Sequence, residues 1–427
     1  MTPDTPLSKT TGPDGPTDTV PGKTTGPAKT TGSAKTTGSA KSTGSAKSTG
    51  SAKSTGSAKT TGSAKSTGTT AATGTRAPLP KAAARPFRLA FPPLSGTLRP
   101  RQLAVSAGLV VAVFAALCWH VSIGEYGIPL ADVARALTGS GDAGTLLVVQ
   151  ELRLPRAMTG LLAGIAFGMS GALLQTMTRN PLASPDMIGL TQGAGTAVVA
   201  GIVLGWDFGL GTQALGLFGA LASALIVYGL AWRRGTTGYR IILVGIGVSW
   251  ICLSATDYLL ARGGRFQAQA ALGWLVGNLN GRDWQQAEPL AYALVVLVPT
   301  ALLIGRLMRT LQLGDDVAKG LGTRVQTVRL TVLLTGVGLV AFATAAAGPV
   351  AFVALAAPQI AQRLCRTAWP PPLAAGLTGA LVVLASDVVA RELIPGTELP
   401  VGIVTGVLGA PVLLWLLIRV NRAGSGG

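Results

Sequence analysis

Few side chains in this sequence could carry out chemistry. The 427 residues include one histidine, His120, and three cysteines, Cys118, Cys252 and Cys365, which are far apart and lie in or beside apolar runs. A metal centre or a disulfide framework needs closely spaced donors of these types. We therefore expect no catalytic residue, no metal site and no bound cofactor, and we interpret His120 as an interfacial or structural residue.

The other candidates are charged residues near the ends of apolar runs. Asp387 and Arg391 are four residues apart, so the two side chains can face each other on one helix. Arg153 and Arg156 come just before the apolar run 157–177. Arginines in such places can extend to the membrane–water interface without any further role.

The composition is that of a membrane protein. Hydrophobic residues make up 48% of the chain and charged residues 12%, against about 25% charged in soluble domains. The sequence predicts an all-α polytopic membrane protein with about ten transmembrane helices. The predicted spans are residues 102–122, 157–177, 187–206, 212–232, 239–261, 287–307, 327–346, 349–366, 372–391 and 400–419.

Residues 1–100 have a different character. Between Pro27 and Gly68 a hexad of the type Ser-Ala-Lys-Ser-Thr-Gly occurs seven times in tandem. Small, polar and cationic repeats bury too little surface to offset the entropy of ordering, so we expect a disordered tail. This tail is either a polybasic tether to anionic lipid or a solvated segment without a role.

Three stretches in the remaining chain carry a family resemblance. Arg153 begins RLPR, which is followed by GMSGALLQ and RNPLASPDMIGLTQGAG; residues 348–363 read GPVAFVALAAPQIAQR; residues 385–411 read ASDVVARELIPGTELPVGIVTGVLGAP. These motifs resemble the permease subunits of bacterial ABC importers for iron chelates and vitamin B12. The resemblance covers about residues 101–421, which would form one transmembrane permease domain.

The resemblance implies a transport subunit rather than an enzyme. ATP would be used by two separate ATPase subunits, the conduit would form with a second permease subunit, identical or related, and an extracytoplasmic substrate-binding lipoprotein or periplasmic protein would deliver the cargo. Gln359, where the family usually has histidine, favours iron complexes of catecholate siderophores. Vitamin B12 or haem remains the alternative cargo.

The resemblance also identifies a coupling loop at residues 311–325. In the family, this loop forms two short helices that dock on the ATPase subunit; an ordinary helical hairpin is the alternative. The corresponding residues are Gly314, Asp315, Asp316, Ala318, Leu321 and Gly322.

Three further sets of residues follow from the resemblance. Arg153, Arg156 and Arg391 would dock the binding protein, although Asp387 could neutralise Arg391 locally. An inner gate would consist of Asn180, Pro181, Leu182 and Tyr239, and an outer mouth of Trp274, Gly277 and Trp284. The alternative for the tryptophans is an interfacial anchor.

Arginines in short loops favour cytoplasmic N- and C-termini, and the resemblance implies a multi-pass protein of the bacterial cytoplasmic membrane. The tail has no secretory signal pattern, and we expect the lipid bilayer, not nucleic acid, as the surrounding partner. Two other functions stay open. An ion-coupled secondary transporter needs ionisable residues within its spans, for which Asp257 and Asp387 are the candidates, and a membrane scaffold would use the basic tail.

Overall fold

A computed structural model describes residues 85–89, 94–98, 100–124, 127–206, 211–232, 238–394 and 396–424. The chain divides into residues 1–78, which lie outside the described part, and residues 79–427. The predicted disorder of the repeat therefore stays a prediction. The last part of the predicted tail contains a short antiparallel ribbon, β1 (Arg85–Leu89) and β2 (Leu94–Leu98).

The rest of the described chain is helical. The helices are α1 (Pro100–Ser122), α2 (Leu130–Leu137), α3 (Ala143–Leu146), α4 (Leu154–Thr178), α5 (Leu190–Leu204), α6 (Gly211–Ala231), α7 (Gly238–Arg262), α8 (Arg265–Leu275), α9 (Trp284–Leu311), α10 (Asp315–Gly320), α11 (Val325–Ala347), α12 (Val353–Cys365), α13 (Pro372–Glu392) and α14 (Val401–Gly424). A π-helical turn, Leu147–Arg153, precedes α4, and a 3-10 turn, Pro185–Ile188, precedes α5.

Each of the ten predicted spans coincides with a helix, which confirms an all-α membrane fold. Within the described residues, seven helical segments are long and apolar enough to cross a bilayer, and α5 and the start of α14 are shorter apolar helices. Helix α12 has only 13 residues. The third span begins three residues later than predicted, because Pro185–Ile188 forms the 3-10 turn and Gly189 takes a left-handed conformation.

Helix α4 lies at the centre of the bundle. It packs against α9, α11, α12 and α13, and its glycines permit the close approach. A Cβ added to Gly164 would lie 2.6 Å from the Cα of Ala380, and one added to Gly171 would overlap the carbonyl oxygen of Ala354. Gly160, Gly164, Gly168 and Gly171 recur every three or four positions and therefore form a contact surface for neighbouring helices.

Candidate functional site

A buried cluster of charges joins the predicted outer ends of four elements. Arg156, on the first turn of α4, donates from Nε and Nη2 to the two carboxylate oxygens of Asp387 on α13, both at 3.0 Å. His120 Nε2 of α1 lies 2.7 Å from Asp387 Oδ2. His120 and Asp387 are fully buried, so this carboxylate depends on neighbouring cations and donors for its stability.

Two more arginines and a glutamate complete this ionic cluster. Arg391 Nε lies 3.5 Å from Asp387 Oδ2, as the four-residue spacing predicted, and its Nη atoms donate to the carbonyls of His120 and Ile123. Arg153 Nη1 donates to the carbonyl of Val121 at 2.9 Å. Arg156 Nη1 also donates to Glu398 Oε2 at 3.0 Å. Glu398, with a side chain that is 51% exposed, is the open edge of the cluster.

The predicted docking arginines are thus placed differently from what docking requires. Arg153 and Arg156 are only 9% and 8% exposed, and the Arg391 side chain is 9% exposed. Direct pairing with another protein needs accessible cations, and these three have partners within the chain. The local neutralisation that the sequence left open for Arg391 extends to Arg156.

Two members of the cluster, His120 and Glu398, could hardly be identified from the sequence. His120 is structural, not interfacial, since its ring is buried against Asp387. Its partner is 267 positions away, and the Arg156–Glu398 pair spans 242 positions. The one sequence signal for Glu398 is its place in the family motif Glu-Leu-Pro at residues 398–400.

Two of the predicted outer-mouth residues, Trp274 and Gly277, lie beside the break between α11 and α12. Trp274 is 6% exposed, which disfavours an interfacial anchor for this residue. A Cβ on Gly277, whose φ is +78°, would lie 2.5 Å from the carbonyl oxygen of Pro349, and the Gly277 carbonyl accepts from the amide of Gly402 at 3.1 Å. Trp284 Nε1 donates to the Gln150 carbonyl.

The predicted inner-gate residues follow the other end of α4. Asn180 and Pro181 are exposed, and Leu182 is partly exposed. The Asn180 Oδ1 atom accepts from the amide of Leu182 at 2.9 Å, which closes a tight turn. Tyr239 begins α7, and its side chain lies outside the described part of the structure.

The loop between α9 and α11 contains one short helix, α10, followed by a turn, where the family pattern predicted two helices. Gly314 and Gly322 have φ values of +107° and +78° and bound the helix. Ala318 is fully buried within the chain, and Asp316 is almost fully exposed. The side chain of Asp315 is outside the described part.

This loop exposes apolar side chains. Leu313, Val317 and Leu321 are 61%, 52% and 62% exposed. Val317 and Leu321 are four residues apart and project from the same side of α10 and the turn that follows it. Exposed apolar residues grouped on a loop are typical of a protein contact surface.

Arg179 connects this loop to the predicted inner gate, a link that the sequence did not predict. It ends α4 in a left-handed conformation with φ +53°. Its Nη2 atom donates to the carbonyl of Leu311, the last residue of α9, at 2.6 Å. The end of α4 is therefore tied to the start of the α9–α11 loop.

Gln175 joins two helices. An amide in an apolar span needs hydrogen-bond partners, so Gln175 could either line a conduit or cross-link helices. Its Oε1 accepts from Gln359 Nε2 at 2.7 Å, and its Nε2 donates to the Leu355 carbonyl at 3.1 Å. Gln175 is 2% exposed, and these contacts favour the cross-link between α4 and α12.

One further carboxylate, Asp186, lies in the 3-10 turn between α4 and α5. Burial raises the pKa of Asp186 to about 6, and a hydrogen bond from Thr191 offsets part of that rise. It contributes to the lining of an open pocket between this turn, α7 and the segment before α12. Among the described residues, no three His, Cys, Asp or Glu side chains are grouped as a metal site would require.

Comparison with known proteins gives consistent matches to one family. The model of the FecCD transport family matches residues 109–419. The ferric enterobactin transport system permease protein of Escherichia coli (strain K12) is 40% identical over 75% of this chain and 98% of its own length. The achromobactin transport system permease protein of Dickeya dadantii (strain 3937) is 40% identical over 73% of this chain and 89% of its own.

A more distant relative is the vitamin B12 import system permease protein of Citrobacter koseri, 35% identical over 65% of this chain and 84% of its own length. Among solved structures, an inward-facing metal-chelate type ABC transporter superposes with a TM-score of 0.65 at 24% identity, covering 74% of this chain and 99% of the other. That likeness supports the fold.

Proposed function

This chain belongs to the FecCD transport family, and we propose that it is an ABC importer permease subunit that moves an iron–siderophore complex inward across the bacterial cytoplasmic membrane. The family match spans most of the described helical part. The proposal rests mainly on this match, which begins within the first predicted span and includes the other nine.

An iron chelate is preferred over vitamin B12 as the cargo. Two relatives whose names specify ferric enterobactin and achromobactin are 40% identical to this chain, whereas the vitamin B12 permease is 35% identical over a shorter region. Gln359, which departs from the usual family histidine, bonds to Gln175. Vitamin B12 or haem is the second candidate cargo.

The energy would come from two separate ATPase subunits that contact the α9–α11 loop. Leu313, Val317 and Leu321 support this proposal, because three exposed apolar side chains on a polar loop gain free energy when a partner covers them. Gly314, Asp315, Asp316 and Gly322 would shape the loop, while Ala318 packs it against the chain. Arg179 would pass movement of the loop to the inner gate at 180–182 and Tyr239.

The ionic cluster would shape the surface on which the extracytoplasmic binding protein docks. Arg153, Arg156 and Arg391 would act indirectly, by fixing the ends of α1, α4 and α13 and by orienting Glu398. Trp274, Gly277 and Trp284 would hold the neighbouring outer mouth. A second permease subunit, identical or related, would complete the conduit, and both termini would be cytoplasmic.

An ion-coupled transporter is less well supported. Such a carrier needs a carboxylate within its spans that can gain and lose an ion. Asp387 is bound by Arg156, His120 and Arg391, so that releasing its charge would leave cations buried. The exposed Asp257 has no such network among the contacts described for it.

The proposed function can be tested in proteoliposomes. The chain would be reconstituted with its permease partner, the ATPase subunits and a loaded binding protein, and uptake of a ⁵⁵Fe-labelled chelate would be measured with and without ATP. We expect accumulation only with ATP and the ATPase subunits. Accumulation by this chain without any ATPase would contradict the proposal, and cobalamin uptake in place of iron would change the cargo.

A further inference from the structure

Three arginines lie together at the end of the bundle where α1 begins and α12 ends. Arg101, in the first turn of α1, donates from Nε to the carbonyl of Leu364 at 3.0 Å. Arg363 lies over the ring of Trp415 on α14, with its guanidinium carbon 4.0 Å from the ring centroid. Arg366 directly follows the last residue of α12 and is exposed. We call Arg101, Arg363 and Arg366 the arginine cluster.

Carboxylates of the neighbouring helices do not balance this positive charge. Helix α12 packs against α1, α4, α13 and α14, and the acidic residues on these five described helices are Asp387 and Glu392 of α13. Asp387 lies about four turns beyond the start of α13, which is roughly 20 Å along the helix axis. The dipole at the end of α12 supplies only about half a negative charge. Most of the charge of the three arginines is therefore uncompensated on these helices.

Two members of the arginine cluster have hydrogen-bond donors to spare. Arg101 uses its Nε for the Leu364 carbonyl, so its two Nη groups can bind an anion. Within the described part of the chain, neither Arg101 nor Arg366 forms an ion pair with a carboxylate. Because Leu364 is two residues before Arg366, both guanidinium groups border the same end of α12. Guanidinium groups of this kind bind phosphate oxygens through paired hydrogen bonds.

An exposed apolar surface continues from the arginine cluster along α1. Four of the 23 residues of α1 are buried, whereas Leu103, Val110 and Phe114 are 54%, 53% and 66% exposed. Their spacing of seven and four residues places these three side chains on one face of the helix. Leu364, beside Arg101, is also exposed. A cationic end followed by an apolar wall matches an amphiphile with an anionic headgroup.

We propose that the arginine cluster binds the phosphodiester headgroup of an anionic phospholipid, in the membrane leaflet at which α1 begins. Arg101 and Arg366 would donate to the phosphate oxygens, and Arg363, held over Trp415, would add to the positive potential. The acyl chains would lie along the exposed face of α1. Basic sites between transmembrane helices bind anionic headgroups in this way. The inference needs the membrane fold, but neither the cargo nor the partner subunits proposed above.

Other anionic occupants match this surface less well. A free phosphate ion fits the guanidinium groups but gains nothing from the adjoining apolar surface. An acidic segment of an ATPase subunit could reach the arginines, but its polar backbone could not follow α1 into the hydrocarbon region. The basic N-terminal tail has the same sign of charge as the arginine cluster and would be repelled by it. An anionic lipid supplies both the charge and the apolar chains.

The test measures lipid binding to the purified full chain by native mass spectrometry. Phosphatidylglycerol, which is anionic, and phosphatidylcholine, which is zwitterionic, are added at equal concentrations. The variant combines Arg101→Gln, which can still donate to the Leu364 carbonyl, with Arg366→Asn, which tolerates the left-handed backbone at φ +48°. We expect the wild type to prefer phosphatidylglycerol. The double variant should lose about 10-fold in affinity for this lipid and none for phosphatidylcholine.

The matched control removes two arginines outside the arginine cluster. Arg309→Gln and Arg324→Gln change exposed residues on either side of the α9–α11 loop. This control has the same net charge as the first double variant and should bind phosphatidylglycerol within about twofold of the wild type. Equal losses in the two double variants would mean that the chain attracts anions by its total charge, and would overturn the site.

Single substitutions keep the test independent of the stability of the double variant. Arg366→Asn alone changes an exposed side chain and should lower the affinity for phosphatidylglycerol about threefold. Arg101→Lys keeps the charge without the paired hydrogen bonds, so it should lose less affinity than Arg101→Gln. Wild-type affinity in both Arg366→Asn and Arg101→Gln would contradict the proposal.

Three further measurements separate the lipid from the other occupants. Excess inorganic phosphate should not displace phosphatidylglycerol; displacement would assign the site to a soluble anion. Deletion of residues 2–80 should leave lipid binding unchanged; its loss would assign the binding to the tail. The Arg101→Gln, Arg366→Asn variant should co-purify with the ATPase subunit as the wild type does. Loss of co-purification with unchanged lipid binding would assign the arginine cluster to that subunit.

This proposal and the proposed function fail in different ways. Lipid binding is measured without cargo or ATP, so a transporter that moves no iron chelate contradicts the proposed function and leaves the lipid site intact. A chain that transports the chelate but shows no preference for phosphatidylglycerol over phosphatidylcholine contradicts the lipid site alone.

Discussion

The two ends of helix α4 hold their charges in opposite ways. At its start, Arg156 lies in a closed cluster in which Asp387 has a histidine and two arginines as partners. Beyond its end, Asp186 lies in a turn where Thr191 is the hydrogen-bonding partner that bears on its pKa. An aspartate thus stabilises the fold at one end, as Asp387, and lines an open pocket at the other, as Asp186.

The ionic cluster at the start of α4 and the α9–α11 loop near its end also differ in which side chains they expose. At the ionic cluster, side chains that a partner could recognise are turned inward and paired. On the α9–α11 loop, apolar side chains that would stabilise the fold if buried are exposed. A buried charge network fixes geometry, whereas an exposed apolar group is stabilised only by a partner. We therefore expect variants at the first end to affect folding and variants at the second to affect assembly.

The largest effect should come from Asp387→Ala. This change leaves Arg391 buried without its counter-charge and Arg156 with only the half-exposed Glu398, and we expect the free energy of unfolding to fall by about 3–5 kcal/mol. Thermal unfolding of the purified chain in detergent measures it. The control is Asp132→Ala, which breaks an exposed pair with Arg135 and should cost less than about 1 kcal/mol. Equal stability of the two variants would remove the structural role of the cluster.

Assembly should respond next, to Val317→Asp combined with Leu321→Asp. Both side chains are exposed, so the unfolding free energy should change by less than about 0.5 kcal/mol. Two charges in an apolar contact should lower co-purification of the ATPase subunit about tenfold or more. Lys319→Gln, on the same helix, is the control and should have little effect. Undiminished co-purification of the double variant would place the contact elsewhere.

A smaller effect is expected from Arg179, which links the two regions. Arg179→Ala removes the bond to the Leu311 carbonyl and should lower uptake about 3- to 10-fold while leaving ATP hydrolysis unchanged. Because φ is +53° at this position, Arg179→Gly removes the same bond and also relieves backbone strain. The two variants should transport equally poorly. Recovery in the glycine variant would assign the effect to strain and not to the bond.

Sequence reasoning captured what local composition determines. All ten apolar runs correspond to helices, and the break at Gly348-Pro349 separates α11 from α12. Local spacing also predicted the Asp387–Arg391 pair. These features depend on neighbours within a few residues along the chain, which periodicity and turn residues report directly.

The contacts that define the sites were beyond sequence reasoning. Arg156 meets Asp387 across 231 positions, and Arg179 meets Leu311 across 132. Arginines at the ends of apolar runs have the same sequence pattern whether they face water or a buried carboxylate, so the sequence predicts exposed side chains for Arg153 and Arg156. Burial depends on how α1, α4 and α13 pack, and no local pattern encodes that arrangement.

The smallest effect distinguishes the two aspartates. The pKa of Asp186 is raised from 3.8 to about 6 by burial, so folding disfavours its ionised form. The loss of folding free energy caused by ionising Asp186 is absent below about pH 4, grows as pH rises and is complete above about pH 6. It reaches about 1–3 kcal/mol once solvent access to the pocket is allowed for. Asp186→Asn should therefore raise the melting temperature by a few degrees at pH 7.5 and leave it unchanged near pH 4.

The measurement compares the variant with the wild type at each pH, because the difference cancels the titration of all other groups. If the difference in melting temperature did not depend on pH, Asp186 would ionise as freely in the folded chain as in the unfolded one. Asp186 and Asp387 would then differ only in their hydrogen-bonding and ionic partners. A gain that appears only above about pH 5 would instead show that the pocket retains a carboxylate at the expense of stability. Such a carboxylate calls for a function, since an asparagine would serve the fold better.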